Sequence, residues 1–170
     1  MFDFIVETGE GKEDATSYVS VEEADQYIEA FFGQEDQWFD KSESQKEIEL
    51  INATRFFDVL LRWSSTIQST KQSLAFPRKT FKDREGRSIE EGSINNTVKE
   101  SVIRIAHEGL RSNLSEEAVF LRSQDYGDSR EVYANAIRDG GNDYVFQLRK
   151  DLMRKGYGTS YGTIVEIERA

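Results

Sequence analysis

A single proline, Pro77, set in Gln72-Ser73-Leu74-Ala75-Phe76-Pro77-Arg78, divides this chain more sharply than any other residue. Proline fixes φ and has no N–H to donate, so a helix upstream must end before it, and Phe76 is biased toward an extended conformation. Immediately after the proline comes a basic excursion, Arg78, Lys79, Phe81, Lys82, Arg84 and Arg87, which contains the turn Asp83-Arg84-Glu85-Gly86-Arg87. Its bases and one aromatic ring are opposed only by Asp83 and Glu85, which makes this loop the candidate contact surface, for an acidic protein partner or for passing nucleic acid.

On either side of the proline the pattern is helical. Ser20 with Glu23 forms a capping box, after which Val21, Ala24, Tyr27, Ile28 and Phe31 recur at helical spacing until Gly33. A second box, Ser44 with Glu47, opens a helix expected over 42–63, with Ile48, Ile51, Phe57, Leu60 and Leu61 on its apolar face and Trp63 near its end. The stretch Ile94-Asn95-Asn96-Thr97, with Glu100 three residues after Thr97, caps a third helix carrying Val98, Val102, Ile105, Ala106, Gly109 and Leu110. A fourth spans 142–155, with Val145, Leu148 and Leu152 on one stripe.

The rest reads as short β additions and joints. Phe2, Phe4 and Val6 alternate with Asp3, Ile5 and Glu7, which suggests a strand or arm before a flexible linker through Gly9 and Gly11. Runs 118–121 and 131–137 are too short for periodicity to separate strand from helix, and 163–168 is a β-prone tail behind the glycine-rich 156–162. The expected fold is therefore mainly α, a bundle of about four helices with β additions from the N-terminal arm, a middle hairpin or strands, and the C-terminal tail. Residues 1–16 form the arm and linker, 17–155 the helical domain and 156–170 the tail.

Composition narrows the chemistry. The chain of 170 residues suits one domain, and without cysteine it has no disulfide, thiolate zinc site or cysteine nucleophile. No signal-like N-terminus or long apolar run is evident, so a soluble, unexported protein is expected. Three Asn-x-Ser/Thr triplets, at Asn52, Asn95 and Asn113, are read as chance. The net charge of −10 is uneven: residues 1–50 hold fifteen acids and three bases, and the remainder seventeen acids and nineteen bases. Such acidity disfavours counterion-driven DNA binding and suits stacking against protein partners.

No residue cluster anchors catalysis. His107, the only histidine, lacks the convergent partners of a triad or metal site, and reads as structural or as a surface residue. Glu22, Glu23, Asp25 and Glu29 read as a solvated helix face rather than a metal or acid–base pair. The spacing GxGxxxG at 156–162 comes after a helix rather than a strand, so it reads as a joint and not a phosphate cradle. No enzyme activity, cofactor or metal is expected. Phe31, Phe32, Trp38 and Phe39 crowd a loop, where contacts between copies would cover them.

Several of these segments recur together elsewhere. Residues 17–27, Ser17-Tyr18-Val19-Ser20-Val21-Glu22-Glu23-Ala24-Asp25-Gln26-Tyr27, then Ala53-Thr54-Arg55-Phe56-Phe57-Asp58 with Arg62-Trp63, then Leu74-Ala75-Phe76-Pro77-Arg78 and Asp83-Arg84-Glu85-Gly86-Arg87, resemble a phage-encoded family. The family is labelled DnaT-like and single-stranded-DNA-binding. Its members resemble the head-tail connectors, or head-completion adaptors, of tailed bacteriophages, which form a dodecameric ring beneath the portal. The resemblance covers about 17–111, with Tyr18, Ser20, Glu23, Tyr27, Trp63, Phe76 and Pro77 as its structural signature. It departs where the family usually has Trp-Pro-Arg and this chain has Phe76-Pro77-Arg78, and where Ile-Pro is replaced by Ile94-Asn95. Both swaps keep the mechanics, since Phe fills an apolar pocket and Asn caps a helix.

The resemblance implies a structural virion protein at the head-tail junction, assembled in the bacterial host cytoplasm. It would bind the portal, further head-completion (stopper) or tail proteins, and copies of itself, with double-stranded DNA passing through the channel. An acidic wall keeps a polyanion mobile. Tyr157, Tyr161, Ile164, Val165 and Ile167 are the expected portal-docking residues of the tail. The alternative is a single-stranded-DNA-binding protein that uses the loop 78–87.

Overall fold

In the computed structural model the described residues are 3–83, 85–89, 91–112 and 143–159. They form four helices: α1 (Val21–Phe32), α2 (Glu43–Val59), α3 (Asn96–Ser112) and α4 (Asp143–Arg154). A short 3-10 helix, Gln37–Asp40, precedes α2. Two antiparallel two-stranded sheets complete the fold: β1 (Arg62–Trp63) with β4 (Gly158–Thr159), and β2 (Phe81–Lys82) with β3 (Ser88–Ile89). The architecture is the mainly α bundle with short β additions that the sequence predicts.

The helices pack around α3, which lies along α2 and also receives α1 and α4. Val98, Val102, Ile103, Ile105 and Ala106 of α3 are buried with Leu50, Ala53 and Phe57 of α2, Ala24 and Ile28 of α1, and Val145 and Leu152 of α4. Between α1 and α2 the fully buried Trp38 seals one end of this core. Its indole Nε1 donates to Asp25 Oδ1 at 2.6 Å, and Lys46 Nζ donates to the same oxygen at 2.8 Å. A polar pair is thereby satisfied at the core's edge, where an unpaired charge would cost several kcal/mol.

Helix starts obey side-chain chemistry, with one shift from expectation. Ser20 and Glu23 make the predicted capping box on α1, and Asn95 Oδ1 accepts from Val98 N at the start of α3. On α2 the box is Ser42 with Gln45, not Ser44 with Glu47: Ser42 has the extended backbone of an N-cap (φ −67°, ψ 155°). The buried stripe is consequently Lys46, Leu50, Ala53, Thr54 and Phe57, and Ile48, expected inside, is 56% exposed. The helix also ends at Val59 instead of running to Trp63. Trp63 turns back in β1 so that its ring meets Phe57 at 4.7 Å and its Nε1 donates to Asp58 O at 2.8 Å.

Residues 3–17 and 156–159 hold to this body more closely than an arm, a linker and a tail would. The N-terminal alternation yields only a Val6–Ser17 bridge, with Ile5 O accepting from Thr16 N and Ser17 N. The expected linker is wrapped around the buried Glu7 carboxylate, which accepts from Gly9 N, Gly11 N and Lys12 N at 2.7–3.0 Å. Gly9 has φ +105°, and a Cβ there would lie 2.2 Å from Gly92 O, so only glycine allows this approach. At the other end, Gly156 (φ +87°) terminates α4: Gly156 N donates to Met153 O and Tyr157 N to Leu152 O, the hydrogen-bond pattern of a Schellman motif. Tyr157 is buried and Gly158 pairs with Trp63, so 156–159 belong to the fold rather than to a free tail. The runs 118–121, 131–137 and 163–168 lie outside the described residues.

Candidate functional site

Three of the signature residues, Tyr18, Trp63 and Phe76, meet around one polar network inside an aromatic cluster, whereas Ser20 and Glu23 cap α1 and Tyr27 accepts from Arg104. Asp58, at the end of α2, accepts from Tyr18 Oη at 2.5 Å through one carboxylate oxygen and from Ala75 N at 3.0 Å through the other. Tyr18 Oη in turn accepts from Phe76 N at 2.9 Å. The segment 74–77 is thus pinned by two of its backbone N–H groups, and the Phe76–Pro77 peptide bond is cis. Around the polar centre, Tyr18 meets Phe57 and Phe76 edge-on, each with centroids 6.1 Å apart, and Trp63 meets Phe76 at 5.1 Å and 79°. Edge-to-face aromatic pairs of this kind add specificity to the burial.

Burial pushes the Asp58 carboxyl from its usual 3.8 up to about 6, against the lowering pull of the Tyr18 hydroxyl, the Ala75 N–H and the Arg78 charge. Burial likewise raises Tyr18 well above the usual phenol range, and the Asp58 charge adds to it. The pair holds a proton donor and an acceptor 2.5 Å apart in a site closed by aromatic rings.

Arg78 does not reach outward as its place in the basic excursion suggests. Its Nε donates to Ser64 O at 2.8 Å, Nη1 to Ala75 O at 3.0 Å and Nη2 to Ser65 O at 2.5 Å, while the guanidinium lies 5.8 Å from the Phe76 ring centroid. Those carbonyls belong to the turn after β1 and to the proline segment, so the arginine ties the two together. Lys79 is also held by its backbone, Lys79 N donating to Thr66 O at 2.9 Å, though its side chain is exposed.

The remainder of the excursion is the β2–β3 hairpin, with its tip organised by Asp83. One oxygen of Asp83 accepts from Glu85 N and Arg87 N, and the other accepts from Arg87 Nε at 2.8 Å. Arg87 Nη2 also meets Glu85 at 2.9 Å. Desolvation pushes the Asp83 carboxyl up, but these hydrogen bonds and the Arg87 charge together outweigh it and hold the carboxyl below its usual range, and Asp83 raises Arg87. Arg87 is therefore neutralised at the tip. Lys82 is exposed in β2, Phe81 pairs with Ile89 through the backbone, and Arg84 lies outside the described residues.

The other candidate groups of the sequence have structural partners. His107 is buried, 3.0 Å from Asp36 and stacked at 4.1 Å under Phe32. Glu23 bonds Lys99 and Asp25 bonds Lys46, which leaves Glu22 and Glu29 as exposed acids of the α1 face. Of the four aromatic residues expected at a surface, Trp38 is fully buried and Phe39 half-buried beneath Lys46, whereas Phe31 is 64% and Phe32 43% exposed. Tyr161, Ile164, Val165 and Ile167 lie outside the described residues. Among the described residues no group of three or more His, Asp or Glu is placed to hold a metal ion, and no helix is long and apolar enough to cross a membrane. The residue that sequence reasoning passed over is Asp58: it stands in the Phe56-Phe57-Asp58 segment, but only the fold brings Tyr18 and Ala75 to it.

No curated protein and no solved structure matches the chain. A family model does, over residues 2–170, and it carries the description Putative DnaT-like ssDNA binding protein. With nearly the whole chain matched, this protein belongs to that family.

Proposed function

We propose that this chain is a structural virion subunit, a head-to-tail adaptor whose copies form a ring under the portal, extend the DNA channel and join head to tail. The observation that carries this reading is the fate of the basic excursion. Arg78 is engaged by three backbone carbonyls and Arg87 by two carboxylates, so the donors of both arginines are turned to the chain itself rather than to a phosphate backbone. Exposed aromatic side chains, Phe31, Phe32 and Phe146, meanwhile sit on helices of a chain with net charge −10. Aromatic residues are enriched at the centres of protein interfaces, and acidic surfaces repel DNA that must slide past.

The reading assigns the pinned 74–78 loop the task of supporting the projecting hairpin, and the residues beyond 159 that of docking on the portal. Truncation after Thr159, with binding to purified portal as the readout, tests the tail: undiminished binding removes that assignment. The runner-up, single-stranded-DNA binding, is favoured by the family's description and by the exposed Lys79 and Lys82. It requires micromolar or tighter oligonucleotide binding with a steep salt slope, about 0.7 counterions released per phosphate contact. Such binding would displace the adaptor reading.

A further inference from the structure

We propose that copies of this chain join head to tail, the acidic outer face of α1 on one copy meeting the basic outer face of α4 on the next. The inference rests on the reading of the chain as a self-assembling subunit and names the surfaces that assemble. It begins at Arg104 on α3. Arg104 Nε donates to Tyr27 Oη of α1 at 2.6 Å, and the charge of the same guanidinium acts on the buried Tyr144 hydroxyl of α4. The two tyrosines therefore converge from the two outer helices on one residue of the central helix.

Helical geometry then fixes where the opposite faces point. At about 100° per residue, Glu22 and Glu29 share a face of α1 roughly 200–220° around from Tyr27, and Gln26 flanks that face about 50° to one side. By the same count Phe146, Lys150 and Arg154 form a stripe on α4 that begins roughly 200° from Tyr144. Because the tyrosines turn toward each other, the two stripes turn away, onto opposite flanks of the molecule. Both are solvent-exposed. The α1 stripe is acidic because Glu23 and Asp25 are drawn inward by Lys99 and Lys46, leaving Glu22 and Glu29, and it borders Phe32 at 43% exposure. The α4 stripe is basic and apolar: Phe146 is 45% exposed with Lys150 Nζ 5.5 Å from its ring centroid, and Arg154, 70% exposed, pairs with Asp151 of its own helix.

Opposite charge on opposite flanks selects the symmetry. A two-fold contact would set α1 against α1 or α4 against α4, acid on acid or base on base, whereas head-to-tail stacking matches the signs at every junction. Such a contact closes into a ring or continues as a filament. The phenylalanines supply apolar area and the charges supply register.

The absence of native cysteine makes the contact directly readable. Gln26→Cys and Gln147→Cys place single thiols at the exposed edges of the two stripes without altering a charge. In a mixture of the two chains, made distinguishable by mass and treated with a short bifunctional maleimide, the 26–147 cross-link should exceed the 26–26 and 147–147 products by about tenfold, and should weaken with salt. Reversal of either stripe, Glu22→Lys with Glu29→Lys or Lys150→Glu with Arg154→Glu, should suppress it. An equimolar mixture of the two reversed chains should restore it, since each reversed face again meets its opposite. Same-site products that equal or exceed the 26–147 product, or a yield indifferent to both reversals, overturn the proposal. Portal binding is scored separately: its loss with the cross-link intact counts against the adaptor reading alone, and its persistence without the cross-link counts against this contact alone.

Discussion

Arg78 and Arg87 stand nine residues apart in one basic run, and the fold uses them in opposite ways. Arg78 lies half-buried, its three donor nitrogens each on a backbone carbonyl, beside the enclosed Asp58. Arg87 is 73% exposed and bridges Asp83 and Glu85 on a hairpin tip. One is a fastener inside the structure; the other trims the charge of a surface element. Position in a charged run says little about accessibility, because the neighbouring backbone decides which carbonyls need a donor.

The largest effect is expected at the aromatic centre that Arg78 adjoins. Phe76→Ala should cost about 3–5 kcal/mol in chemical denaturation, since it empties a site enclosed by Tyr18, Phe57 and Trp63. A cost under about 1 kcal/mol would mean the cluster does not organise the loop.

Next comes a pH dependence with a fixed sign. The folded-state carboxyl of Asp58 sits at about 6, above its usual 3.8. Its contribution to stability is therefore fully present below pH 4 and is lost as the pH rises through 6, by roughly 3 kcal/mol in total. The stability of the native chain relative to Asp58→Asn should accordingly fall between pH 4 and pH 7. Glu23 and Asp83, both held low, act in the opposite direction as the pH falls, and the comparison with Asp58→Asn cancels them. A difference that is flat or rising with pH would remove the burial argument for Asp58.

Smaller effects separate the two arginines themselves. Arg78→Ala strands three carbonyls and should cost about 2 kcal/mol, read by the same denaturation. Arg87→Ala should leave the denaturation midpoint unchanged within error, as expected of an exposed ion pair. Equal losses at the two positions would erase the distinction.

Much of the fold was legible in the sequence because its signals are local. Ser20 with Glu23, Asn95 before α3 and Gly33 after α1 each act within one helical turn, and the helix periodicity around them is strong. The start of α2 misled for the same reason: Ser42 and Ser44 both precede a Gln or Glu by three residues, and only the burial of Lys46 and Leu50 selects the former register. What was not legible depends on long separations in sequence. Tyr18 and Asp58 meet across forty residues, and Ser64 Oγ meets Gly156 O across ninety-two. Glu7 read as one side of an arm, yet its carboxylate gathers the amides of the adjoining loop, a purpose invisible until that loop closes around it. Trp38 looked like surface crowding because its partners, Asp25 and Lys46, lie on different helices.

As proposed, the chain is a self-assembling subunit of the virion junction rather than a nucleic-acid clamp. The most direct measurement is the mass of the particle formed when the purified chain is mixed with assembled portal. A discrete complex carrying many copies of the chain per portal ring is expected, whether or not the chain is a monomer by itself. A chain that stays apart from the portal, and instead binds single-stranded oligonucleotide with a steep salt dependence, would contradict it.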